Sequence, residues 1–92
     1  MSKKYKDSFV VINEKGMHTR PSTELVKCAS AFKAQIMLFY QGCSVNAKSL
    51  LGILMLAAAR GSKIQVVAEG EDAEEAVVAL LHLASNKFNI KF

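Results

Sequence analysis

Gly16-Met17-His18-Thr19-Arg20-Pro21-Ser22 is the segment whose residue types and spacing could do chemistry. Pro21 is tolerated in the first turn of a helix, where its missing N–H has no partner to lose, and so predicts a helix that starts just after His18. The imidazole then sits at a helix N-terminus, where unpaired backbone N–H groups and the positive end of the dipole favour an anion. Gly16 lets the backbone turn ahead of it. Arg20 adds a permanent guanidinium that can fork onto phosphate oxygens. These positive surroundings disfavour an imidazolium, leave the neutral ring a lone pair for attack, and would stabilise a phosphoryl group once bound. Spacing alone also allows a loop or N-cap histidine with no chemistry, and sulfate or a carboxylate would suit the same surroundings.

Ser49 is the second candidate. A serine opening a helix is most often its N-cap, a structural role. The residues after it, Leu50 to Leu56, are more apolar than one buried face requires. The surplus either packs under a neighbouring loop or forms a docking patch, since exposed apolar clusters mark interaction sites. Cys28 and Cys43 lack CxxC or Cys/His spacing, and a structural zinc site needs four ligands, usually in close pairs. His18 and His82 would complete such a set only by accident of folding. No metal and no cofactor are expected, and both cysteines read as reduced, small, apolar side chains.

The elements that must position these residues follow from pattern. Ser8 to Asn13 is β-branched and reads as a strand. From Thr19 to Phe32 the pattern turns helical, with Leu25, Val26, Ala29 and Phe32 on one face. Ala34 to Tyr40 alternates as a second strand, Gln41-Gly42 supplies turn chemistry, and Cys43 to Ala47 completes a hairpin. Lys48 to Ala59 is predicted to be a short helix closed by Gly61 in a left-handed cap. Lys63 to Ala68 is a fourth strand. Asp72 or a neighbour would cap the last helix, and Glu74 and Glu75 suit the positive end of its dipole. Ala76, Val77, Leu80, Leu81 and Ala84 form that helix's buried stripe, and His82 should face water without a role. The order β-α-β-β-α-β-α predicts an α+β open-faced sandwich: a four-stranded antiparallel sheet covered on one face by three helices, in a single domain over residues 1–92.

Three stretches in order resemble one family. Gly16-Met17-His18-Thr19-Arg20-Pro21 is similar to the active-site motif of HPr, the histidine-containing phosphocarrier of the phosphoenolpyruvate-dependent sugar phosphotransferase system. Asn46-Ala47-Lys48-Ser49-Leu50-Leu51-Gly52-Ile53-Leu54-Met55-Leu56 resembles its second signature, and Ala68-Glu69-Gly70-Glu71-Asp72-Ala73 the stretch leading into its last helix. Met17 stands where Leu or Ile is usual and Ser22 where Ala is common; both fit sterically. The resemblance implies that enzyme I, charged from phosphoenolpyruvate, phosphorylates His18 on Nδ1, and that Arg20 steadies the group. It implies an acceptor domain of a sugar permease or a regulator as the next station, and Ser49 as a target of the ATP-dependent HPr kinase/phosphorylase. In the family the second helix and the exposed side of the first form a shared docking surface. By position this gives Leu50, Leu51 and Leu54, with Thr19, Arg20 and Lys27 on the rim. A carrier of this kind has no turnover of its own.

Composition sets the bounds. Ninety-two residues with an apolar fraction of 51% fill one core. The near-continuous apolar stretch Leu50–Ala59 is too short for a bilayer, which takes about 20 residues. The run Phe9–Ile12 is too short for a signal peptide's apolar core. A cytoplasmic monomer without membrane insertion is expected. A net charge of +4 suits acidic protein surfaces. With Lys3, Lys4 and Lys6 crowded at the start, the other basic residues scattered and no interleaved aromatics, it does not suggest nucleic acid. The alternative class is a regulatory binding module acting mainly through Ser49. Retention of His18, Arg20 and Pro21 together speaks against it.

Overall fold

A computed structural model describes residues 3–90 of the chain. Four strands, β1 (Lys4–Val10), β2 (Gln35–Tyr40), β3 (Cys43–Asn46) and β4 (Lys63–Glu69), form one sheet in the order β1-β4-β2-β3. Every pairing is antiparallel. Three helices, α1 (Thr19–Ser30), α2 (Leu50–Leu56) and α3 (Ala73–Ser85), complete the open-faced sandwich, and a single tight turn, Lys87–Asn89, follows. The fold is the one expected from the order of elements.

Alternation decides which face is covered. Ile36 and Leu38 of β2, Ile64, Val66 and Ala68 of β4, and Phe9 of β1 are buried, whereas their neighbours along each strand are more exposed. Against them pack Leu25 and Ala29 of α1, Ile53 of α2, and Ala73, Ala76, Val77, Leu80 and Ala84 of α3. Gln41 and Gly42, with φ of 49° and 78°, turn the β2–β3 hairpin with both central residues left-handed, the twist that antiparallel strands favour.

Several boundaries differ from the sequence reading, most of them by one or two residues and those of the first strand and second helix by more. The first strand begins at Lys4 and ends at Val10, earlier at both ends than Ser8–Asn13. Its polar start pairs with Val66–Glu69 at the sheet edge, where no apolar alternation is needed. Beyond Val10 the chain leaves the sheet; Val11 still exchanges bonds with Gly61 (2.7 Å) and Ser62 (2.8 Å).

The second helix is shorter than Lys48–Ala59, and Gly61 does not close it. Ala57 does, with φ 51° and ψ 38° and its N–H bonded to the Leu54 carbonyl. The apolar run continues past the helix because Ala58 is buried and its carbonyl is taken by Met17 N–H at 2.9 Å.

Asp72 occupies the N-cap position of α3 but makes no side-chain cap bond. Its carboxylate instead accepts from Lys33 N–H (2.9 Å) and Ala34 N–H (2.8 Å), pinning the start of β2. His82 is exposed. Of the tail, Phe88 and Ile90 are buried; Phe92 lies outside the described residues.

Candidate functional site

The loop from Asn13 to His18 is built to deliver one ring. Gly16 N–H bonds to Asn13 O at 3.0 Å, closing a tight turn, and Gly16 itself sits at φ +70°. A Cβ there would lie 2.5 Å from the Ala58 carbonyl oxygen, so both the backbone angle and the close approach require glycine. Met17 is buried, held on one side by its N–H bond to Ala58 and on the other by Ser22, whose hydroxyl donates to the Met17 carbonyl at 3.0 Å. Ser22 is wholly buried. Its hydroxyl therefore fastens the loop to α1, a role the sequence reading did not give it. A hydroxyl among Pro21, Leu25 and Ala29 on the buried face was the available signal.

His18 is the N-cap residue of α1, in extended conformation at φ −80° and ψ −168°, yet its side chain caps nothing. Its carbonyl takes Ser22 N–H at 3.1 Å, the first helical bond. The ring is half-buried, and its Nε2 is buried with no hydrogen-bond partner among the described residues. Lys15, Met17, Leu54 and Ala57–Ala59 line the depression around it. Thr19 and Arg20 line an adjacent depression with Thr23, Glu24, Asn89 and Ile90. Thus Leu54 and the end of α2 meet His18, while Thr19 and Arg20 face the last residues of the described chain. α1 carries no acidic residue in its first turn, so nothing there offsets the positive end of its dipole.

The other candidates are more spread out. Lys27 lies in the last turn of α1, 3.5 Å from Glu24, away from the helix start. Leu50 and Leu51 are 37% and 69% exposed, and Met55, which the sequence reading did not single out, is 75% exposed. All three sit on α2 and make an unburied apolar patch. Leu54 is only partly exposed. Ser49 caps α2: its Oγ accepts Gly52 N–H at 3.1 Å, at φ −110° and ψ 109°. It stands at the end of α2 remote from His18. Lys48 directs its ammonium to the Phe32 carbonyl at 2.8 Å, just past the C-terminal end of α1, where the helix dipole favours a cation.

Cys28 and Cys43 are both free thiols, and burial pushes the Cys28 thiol up from its ordinary value, favouring its neutral form. No group of three His, Cys, Asp or Glu side chains among the described residues could hold a metal ion. No helix among them is long and apolar enough to cross a membrane.

Fold and site together define a small open-faced sandwich that presents one half-buried histidine at a helix start beside an apolar patch. Residues 5–86 match the family model described as PTS HPr component phosphorylation site. HPr-C-His from Thermoanaerobacter tengcongensis is 36% identical, with a TM-score of 0.90 over 96% of this chain and 99% of that one. The phosphocarrier protein HPr from Bacillus anthracis str. Ames is 39% identical, with a TM-score of 0.82 over 86% and 94%. The Bacillus subtilis catabolite repression HPr, Crh, is 30% identical, with a TM-score of 0.61 over 90% and 94%. The chain belongs to the HPr family of the phosphotransferase system, and these relatives support a phosphocarrier role.

Proposed function

We propose that the protein is a relay carrier that accepts a phosphoryl group on His18 Nδ1 from enzyme I, itself charged by phosphoenolpyruvate, and yields it to an acceptor domain of a sugar permease or a related regulator. The observation that carries this reading is the ring's setting. Nε2 is buried with no partner among the described residues, which leaves Nδ1 as the nitrogen for a donor to reach at the start of α1. In the transfer the Nδ1 lone pair forms the N–P bond as the bond from phosphorus to the donor breaks, and the donor keeps that electron pair. Transfer of this kind asks the protein for position and charge rather than covalent help. The backbone N–H groups of the first turn, the helix dipole and Arg20 supply the charge. The carrier works as a cytoplasmic monomer with no turnover of its own and binds its partners through Leu50, Leu51 and Leu54, with Thr19, Arg20 and Lys27 at the rim. The exposed Met55 extends that patch. Ser49, partly exposed at the edge of the same patch, is the site for a regulatory HPr kinase/phosphorylase. A phosphate there would place up to two negative charges beside the docking surface.

Incubation with enzyme I and phosphoenolpyruvate should place one acid-labile phosphate on the protein and none on His18→Ala. An unlabelled wild-type chain would defeat the carrier reading. Acid-stable label from ATP and the kinase, absent in Ser49→Ala, tests the second site independently.

A further inference from the structure

The turn after α3 is unusual for L-residues. Lys87, Phe88 and Asn89 hold φ of 55°, 55° and 62°, with Asn89 N–H bonded to Asn86 O and Ile90 N–H to Lys87 O, both at 3.0 Å. Left-handed backbone crowds each Cβ against the following carbonyl, and residues other than glycine enter it singly rather than in series. Something outside the turn must hold it there. Phe88 is wholly buried and meets Phe9 edge-on, ring centroids 5.9 Å apart at 72°. The other hold is Asn13, whose Nδ2 donates to the Lys87 carbonyl at 2.9 Å.

Asn13 is itself fully buried, and its Oδ1 meets no donor among the described residues. A buried acceptor left without a donor is costly, so a position needed for packing alone would be better filled by an apolar residue of similar shape. What the side-chain amide gains is the bond to Lys87; the main-chain carbonyl, which any residue would carry here, holds Gly16 N–H in the turn just ahead of His18, so the amide joins that turn to Lys87. The C-terminal turn also reaches α1 directly, since Asn89 and Ile90 share a depression with Thr19 and Arg20.

We infer that Asn13 is a positioning residue for His18. It ties the loop presenting the ring to the left-handed Lys87–Asn89 turn, and that turn braces the start of α1 from the flank of Thr19 and Arg20. This deepens the carrier reading and rests on it.

The test uses enzyme I and phosphoenolpyruvate with the full chain as phosphoryl acceptor. Asn13→Leu keeps shape and leaves the docking residues untouched, so it should lower kcat about tenfold with KM within about twofold. Adding Lys87→Gly to that variant relaxes the turn without rejoining it to the loop, so kcat should stay low. Unchanged kcat in Asn13→Leu, or full recovery on adding Lys87→Gly, overturns the inference. If Asn13→Leu does not fold, native-state hydrogen exchange on the unmodified chain decides. The amides of Gly16, Asn89 and Ile90 should open together as denaturant is raised. Opening of Asn89 and Ile90 while Gly16 stays protected overturns it. Absence of label on the wild-type chain would defeat the carrier reading instead, and the exchange result would still judge the tie.

Discussion

Gly16 and Ser22 hold the imidazole in place from either side of it along the chain. Gly16 passes within contact of the Ala58–Ala59 backbone at a left-handed angle, and Ser22 holds the Met17 carbonyl from inside the helix. Gly16→Ala should therefore destabilise the protein by about 2 kcal/mol or more, the cost of a left-handed Cβ together with a steric overlap that must be relieved. Because the overlap pushes against the loop carrying His18, the variant should also accept phosphoryl more slowly than its folded fraction explains. Denaturant melts paired with initial transfer rates check both parts. The His-x-Arg-Pro spacing made His18 legible in the sequence, since it names a helix start from local rules alone. The burial of Nε2 was not legible, because it depends on Leu54 and Ala57–Ala59 folding over the ring from far along the chain.

Elements in this protein are secured at their ends. Ser49 caps α2 through Gly52 N–H, so Ser49→Ala should cost about 1 kcal/mol in urea unfolding. That loss belongs to the helix alone, and an unchanged midpoint would show that the cap contributes little. Asp72 ties the start of α3 to the start of β2. The backbone N–H of Lys33 first, with that of Ala34 and the Lys48 ammonium assisting, holds its carboxyl below the usual carboxylate range. A depressed folded-state value stabilises above the unfolded one, near 3.9, and that contribution drains away as pH falls from there through the folded value. Asp72→Asn should thus lose stability at neutral pH and show a shallower decline on its acid limb below about pH 4. Parallel acid titrations followed by circular dichroism measure the difference. Helix and strand centres were readable from periodicity, as in β4 and the buried stripe of α3. Ends were not: Ala57 closes α2 in a left-handed conformation that composition does not announce, because Met17 N–H of the site loop takes the next carbonyl, that of Ala58.

At the scale of the whole molecule, the core is kept apart from the exposed apolar residues of α2. Ile53 is fully buried while Leu51 and Met55, on the same short helix, are 69% and 75% exposed. Leu51→Asp should accordingly leave the unfolding free energy within about 0.5 kcal/mol while raising the KM of enzyme I for this chain several-fold; a stability loss with unchanged KM would place Leu51 in the core's service instead. The sandwich architecture was legible because a strand hairpin interrupts the strand–helix alternation, whereas the order β1-β4-β2-β3 was not, since nothing in a strand's own residues names its neighbour. That order carries a consequence for synthesis. Among the described residues β1 pairs with β4 alone, Lys4 opposite Glu69 and Val10 opposite Lys63, so a nascent chain that has not yet emitted β4 from the ribosome holds its first strand without that mate. Such long-range pairing makes folding wait, and the histidine loop, which hangs from the end of that strand, is among the last parts to be set.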